Sequence, residues 1–304
     1  MPETSRRPVA IEGVLAEHGR LVESALDRYL PSETAPPAEV HRAMRYSVFA
    51  GGKRLRPILV VAGADVAGAP PETVLLSACA VELIHTYSLI HDDLPAMDDS
   101  AIRRGRPTCH VVFGEAMAVL AGDALHAHAF ELLARNAEVP GCSPARVVRA
   151  IRELTLGIGS EGMVGGQVLD LLAVHAAPGE AEVRQIHRLK TGALIRACLA
   201  IGGVLAGAND ADLVALDRYG EHMGVAFQIV DDILDVVGES GKLGKGTGTD
   251  ASHAKVTFPA VFGLERSRRL AADATHEAVR ALAPLGARGA RLEELAIYLL
   301  ERDR

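Results

Sequence analysis

Aspartates set into apolar, helix-forming sequence constrain this chain more than any other feature. HDDLPAMDD (91–99) crowds Asp92, Asp93, Asp98 and Asp99 into eight positions, straight after the apolar run from Glu72 to His91. VAFQIVDDILDVV (225–237) sets Asp231, Asp232 and Asp235 into a run that is otherwise apolar apart from Gln228. The i, i+4 spacing stacks Asp231 and Asp235 on one helical face, where like charges repel unless a cation joins them. The fold must therefore bring apolar helices together around carboxylates that point at something charged. Hard carboxylate oxygens beside basic side chains suit magnesium, which takes a few carboxylates together with water and substrate phosphate.

Basic groups of the matching kind follow. Arg103 and Arg104 come directly after the first cluster, and a guanidinium fork binds phosphate bidentately. Lys53, Arg54 and Arg56 form a second basic knot behind the Gly51-Gly52 bend. Lys190 lies in an apolar helical stretch, and Lys242, Lys245 and Lys255 lie in or after a Gly-rich loop from Gly238 to Gly248. That loop is not a P-loop, because Lys245 is followed by Gly246 and no strand precedes it. The Gly157 to Gly166 region likewise lacks the strand that a dinucleotide fold requires. His126 and His128, two apart on a helix, cannot share a face and are not expected to be metal ligands.

The rest of the chain reads as helix. Ala and Leu, the strongest helix formers, dominate a composition that is 49% hydrophobic and 4% aromatic. Helical spacing predicts elements over 11–30, 40–49, 58–68, 72–91, 114–137, 144–157, 163–172, 180–206, 211–237, 259–282 and 292–302. Pro95 should end the fourth of these and leave the later acids on a loop. No run alternates with period two. One helical domain over 1–304, with residues 1–10 as a loose tail, is the expectation. The net charge of −7 argues against nucleic acid. The four cysteines form no C-x-x-C pair and read as buried thiols in a reducing cytosol. The N-terminus has no apolar signal core, and the run Ala197 to Ala208 is too short to span a bilayer. A soluble, cytoplasmic protein is expected.

These motifs together resemble the trans-isoprenyl diphosphate synthases. The likeness runs through GGKRLRP (51–57), HDDLPAMDD (91–99), RRGRPTCH (103–110), GGQVLDL (165–171), KTGALI (190–195), FQIVDDILD (227–235), LGK (243–245), KVTFP (255–259) and YLLERDR (298–304). The resemblance implies an all-α fold with helices around a deep central cavity, as a homodimer. It implies about three Mg2+, with Mn2+ as a substitute, held by Asp92, Asp93, Asp98, Asp231, Asp232 and Asp235. Arg103, Lys190, Lys245 and Lys255 would hold an allylic diphosphate, with the dipoles of Thr191 and Gln228 facing its cation. Lys53, Arg56, His85 and Arg104 would hold isopentenyl diphosphate. Ser100 and Ala101 stand where the family commonly has further acids, which leaves Asp98 and Asp99 as alternatives for the third ligand.

Product length has its own expectation. Tyr87 lies five residues before Asp92, about 7–8 Å down a helix. Its ring can block a growing tail where the small Ser88 beside it cannot. With two extra residues in the cluster, Pro95 and Ala96, this resembles bacterial farnesyl diphosphate synthases. Geranylgeranyl and geranyl synthases, a class I terpene cyclase and a non-catalytic regulatory subunit are the alternatives. A cyclase normally carries a different second metal motif, and regulatory subunits tend to lose an Asp cluster.

Overall fold

A computed structural model of the chain describes residues 7–173, 179–237 and 257–301. Its helices are α1 (Arg7–Tyr29), α2 (Ala38–Val48), α3 (Leu55–Val66), α4 (Leu75–Asp92), α5 (Cys109–Phe113), α6 (Glu115–Arg135) and α7 (Pro144–Ile158). They continue as α8 (Met163–Ala173), α9 (Glu180–His187), α10 (Ala193–Ala206), α11 (Asp210–Val237), α12 (Phe258–Phe262), α13 (Leu264–Ala281) and α14 (Ala290–Glu301). The fold is all-α, as the composition and spacing predict. Three local departures matter. Helix α1 already includes Arg7 to Ala10, so the loose tail expected over 1–10 is corrected at those positions. The stretch after the first acidic cluster forms a minimal antiparallel hairpin, β1 (Ile102–Arg103) with β2 (Arg106–Pro107). A π-helical turn, Arg188–Gly192, interrupts the helix expected over 180–206.

Helix α4 packs against α1, α3 and α6, and α10 packs against α3, α7 and α11. Small residues set how close the inner helices come. A Cβ on Gly202 would lie 1.9 Å from the Val60 carbonyl oxygen, and one on Gly63 would lie 2.3 Å from that of Leu199. Any larger residue would force α3 and α10 apart. The main core between these helices includes Leu59, Leu83, Ile84, Leu125, Ile195 and Leu199, all fully or almost fully buried. Each such side chain contributes about 1.5–3 kcal/mol. A second, smaller core of Val183, Ile229, Val230, Ile233, Phe258 and Ala271 joins the end of α11 to α9, α12 and α13. Helix α11 thus has one half in each core, and its aspartates fall on the second half. Two stretches, Pro71–Asp92 and Glu180–Ala206, are long and apolar enough to cross a bilayer, yet 67% of each apolar window is buried inside the molecule.

Candidate active site

The first carboxylate station forms where α4 stops. Asp92 is its last residue and Asp93 caps it. The end comes before Pro95 because a residue preceding proline is driven out of helical geometry. The loop then folds back on the helix end. The Asp98 N–H donates to the Asp92 carbonyl at 2.9 Å, and the Ser100 N–H to that of Asp93 at 3.1 Å. Asp99 adopts a left-handed backbone, φ 46°, and points to solvent. The hairpin returns Arg103 onto Asp93. Its Nε lies 2.8 Å from both carboxylate oxygens, and Nη2 lies 2.7 Å from Oδ1. Burial alone would lower the Arg103 guanidinium, but Asp93, then Asp92 and Asp98, carry it above the ordinary arginine range. Asp98 is thus partly buried with its charge reaching Arg103, whereas Asp99 is exposed.

The basic knot is built on a strained bend. Gly51 and Gly52 have φ of 92° and 125°. A Cβ on Gly52 would sit 2.6 Å from Arg104 Nη1, so only glycine lets the guanidinium lie there. Arg104 Nη1 donates to the Gly51 carbonyl. Arg54 does not line the site. It turns inward, 3% exposed, and pairs with Glu82 at 2.7 Å and Glu23 at 2.8 Å. Arg56 faces the opposite way in terms of satisfaction. Its buried Nε has no hydrogen-bond partner among the described residues. Burial lowers it, against the charges of Cys198, Glu82 and Asp231. His85, on α4, is pushed well below 6.5 by burial and then by Arg56, Arg104, Arg103 and Arg54. A neutral imidazole and an orphaned guanidinium N–H among like charges make a place that favours an anion. Lys53 stands exposed at the rim.

The second station lies on α11. Asp232 is 3% exposed, whereas Asp231 and Asp235 are partly exposed. Asp232 Oδ1 accepts from Gln228 Nε2 at 2.8 Å, and Oδ2 accepts from the Phe258 N–H at 2.9 Å. The Gln228 Oε1 in turn accepts from Thr191 Oγ1 at 2.7 Å. Thr191 and Lys190 both sit on the π turn, a geometry that recurs at functional sites because it re-aims side chains. Lys190 Nζ lies 2.6 Å from Asp170 Oδ2 on α8. A Cβ on Gly166 would meet the Lys190 backbone N at 2.1 Å, and one on Gly224 would meet Gly192 Cα at 2.7 Å. Glycines therefore clamp α8, the π turn and α11 together.

Four residues absent from the sequence reading belong to this assembly. Asp170 holds Lys190, and Glu82 anchors Arg54. Gln167, three residues before Asp170 on α8, has both amide atoms buried without partners among the described residues. His187 stacks on Phe258 with ring centroids 5.1 Å apart and has Nε2 3.8 Å from Asp232 Oδ2. Burial holds its imidazole down to about 4. The signal for Gln167 and Asp170 was their i, i+3 spacing in GGQVLDL, two polar residues on one face of an apolar helix. Lys242, Lys245 and Lys255 lie outside the described residues.

The charge of Asp231 reaches Arg56, and that of Arg103 reaches His85, which ties the knot electrostatically to both stations. Among the described residues, no three His, Cys, Asp or Glu side chains already form a closed metal cage. All the acids offered are hard oxygen donors. That set fits magnesium, whose shell is completed by water and substrate phosphate rather than by protein alone. Below Asp92, the Tyr87 ring meets His126 at 4.9 Å and His91 at 5.7 Å, both edge to face. Ser88 Oγ donates to the His85 carbonyl at 2.9 Å, which keeps it close to its own helix.

Residues 37–283 match the family model described as polyprenyl synthetase. The chain is 46% identical to a farnesyl diphosphate synthase of Escherichia coli, over 92% of this chain and 95% of that protein. It is also 46% identical to a chloroplastic geranylgeranyl pyrophosphate synthase of Catharanthus roseus, over 88% of this chain and 75% of that one. The structure of an FPP/GFPP synthase from Zymomonas mobilis superimposes with a TM-score of 0.84 at 35% identity, covering 96% of this chain and 99% of that one. With the fold, the paired aspartate stations and this match in agreement, the chain belongs to the polyprenyl synthetase family.

Proposed function

We propose that this chain is a short-chain prenyltransferase. It condenses isopentenyl diphosphate with dimethylallyl and then geranyl diphosphate and stops at (2E,6E)-farnesyl diphosphate. What supports the reading most is the group of Arg56, His85 and Arg104, within reach of the charges of Asp231 in one station and Arg103 beside the other. Such a site takes two diphosphates, one to be ionised and one to be held intact. Asp92, Asp93, Asp98, Asp231, Asp232 and Asp235 would hold Mg2+ or Mn2+, which, when bound, supplies Lewis-acid polarisation of the leaving diphosphate. Arg103 and Lys190, with Lys245 and Lys255, draw charge onto that same group. The hydroxyl of Thr191 and the amide of Gln228 present dipoles to the allylic carbons. Lys53, Arg56, His85 and Arg104 position isopentenyl diphosphate so that its double bond attacks the cation. The released proton goes to the departed diphosphate, so no protein nucleophile is needed.

The stop at fifteen carbons rests on the Tyr87 ring across the path below Asp92. The chain is read as one helical domain over 1–304, cytoplasmic, with its four cysteines free and buried. Exposed apolar side chains on α6, α7 and α8, Leu120, Val148, Leu156, Val168 and Leu172 among them, support a homodimer. Product chromatography with isopentenyl diphosphate, Mg2+ and each allylic starter tests the reading. Fifteen-carbon product is expected. Mainly twenty-carbon product would contradict the stop. Activity only with an added partner subunit would contradict an independent enzyme.

A further inference from the structure

The wall below the first station is built by two helices, and the second one carries no expected role. Helices α4 and α6 run antiparallel in a register fixed by three pairs. A Cβ on Gly122 would lie 2.1 Å from His91 Nε2, and the same nitrogen lies 3.2 Å from the Val119 carbonyl oxygen. Four residues deeper on α4 and four further on α6, Tyr87 meets His126 at 4.9 Å with planes 80° apart. His126 then meets Phe130 at 5.2 Å and 66°. The three rings form a continuous edge-to-face ladder, and Phe130 lies one helical turn, about 5.4 Å, beyond His126.

We propose that His126 is a specificity-determining residue that fixes product length through Tyr87. A tyrosine projecting from α4 can swing about χ1 and open the path. The imidazole edge against its ring holds it across the path, and Gly122 allows the close helix approach that brings the imidazole there. Phe130, behind His126, forms the next stop once Tyr87 is gone. The role of His126 is positional, since it reaches the growing tail through Tyr87 rather than through the reacting atoms. Burial lowers the His126 imidazole, with Asp123 opposing and His91 assisting, which suits a neutral ring that packs rather than a charged one.

This inference rests on Tyr87 being the stop, so the test separates the two. Wild type, Tyr87→Ala, His126→Ala, His126→Phe and the double variant Tyr87→Ala/His126→Ala are assayed for the ratio of twenty- to fifteen-carbon product and for total turnover. His126→Ala should raise the ratio by roughly 2- to 10-fold, the bias one edge-to-face contact can impose. Total turnover should stay within about 2-fold of wild type, as expected of a group remote from the chemistry. His126→Phe, which keeps an aromatic edge, should restore the wild-type ratio. The double variant should give longer product than Tyr87→Ala alone. An unchanged ratio in both His126→Ala and the double variant, with Tyr87→Ala lengthening the product, overturns the role of His126 alone. If Tyr87→Ala leaves length unchanged in an active enzyme, the stop itself is wrong. Should His126→Ala fail to fold, a lengthened product from His126→Leu supports the proposal and an unchanged one overturns it.

Discussion

The two carboxylate stations look alike in sequence and are built differently. In each, one aspartate is buried and taken up by the protein, and its neighbours are partly exposed. Asp93 is held by a charge, the Arg103 guanidinium returned by the hairpin. Asp232, among the described residues, accepts from the Gln228 amide and the Phe258 N–H, with the His187 ring 3.8 Å away. The first arrangement couples the acid to a basic side chain through three close contacts, so neither can move alone. The second fixes a carboxylate through hydrogen bonds from an amide and a backbone N–H. The division within each motif is one of burial: Asp93 and Asp232 are buried, and Asp92, Asp98, Asp231 and Asp235 are partly exposed.

Breaking the division should produce unequal effects. Asp92→Ala should lower kcat by roughly 100- to 1,000-fold, the scale of losing one preorganised electrostatic group, with an unchanged melting temperature. Asp93→Asn should cost about 10-fold in kcat/KM for the allylic substrate, because Arg103 loses its bidentate partner. Steady-state kinetics distinguish the two, and equal losses at equal stability would erase the division. Asp232→Asn should lower turnover and also cost about 1–3 kcal/mol of stability in denaturant titrations, from its hydrogen bonds to Gln228 and Phe258. Asp231→Asn should instead leave stability intact and lower turnover.

The smallest expected effect concerns pH. His85 has its folded value depressed well below 6.5. The unfolded chain therefore takes up a proton near pH 6.5 and the folded one only far lower. Stability should fall as pH drops below about 6.5 and keep falling until the folded imidazole itself protonates. His85→Gln should flatten that slope in thermal melts across the range. A wild-type slope retained in the variant would place the acid sensitivity elsewhere.

Much of this was legible in the sequence, for local reasons. Helix ends fell where Pro or Gly stands, and the aspartates declared themselves by sitting in apolar runs. The two-residue hairpin was not legible, because four pairing residues carry no period-two signal. The π turn at Lys190 was hidden for a similar reason, since KTG inside an apolar helix has no local signature. Arg54 and Arg56 read as one basic knot, yet two residues apart on α3 and its entry they differ: Arg54 pairs with Glu82 in the core, and the buried Arg56 Nε has no hydrogen-bond partner among the described residues. The Asp170–Lys190 pair joins different helices, so only packing at Gly166 reveals it. Sequence finds the charged groups, and tertiary contacts decide which hold and which act.

The central claim is that two diphosphates are handled at once between the two stations. It is tested most directly by measuring inorganic diphosphate release from geranyl diphosphate and Mg2+, with and without isopentenyl diphosphate. The account predicts one diphosphate released for each isopentenyl unit incorporated into fifteen-carbon product, and little release when isopentenyl diphosphate is withheld. Undiminished release without it, accompanied by cyclised hydrocarbon, would contradict the account.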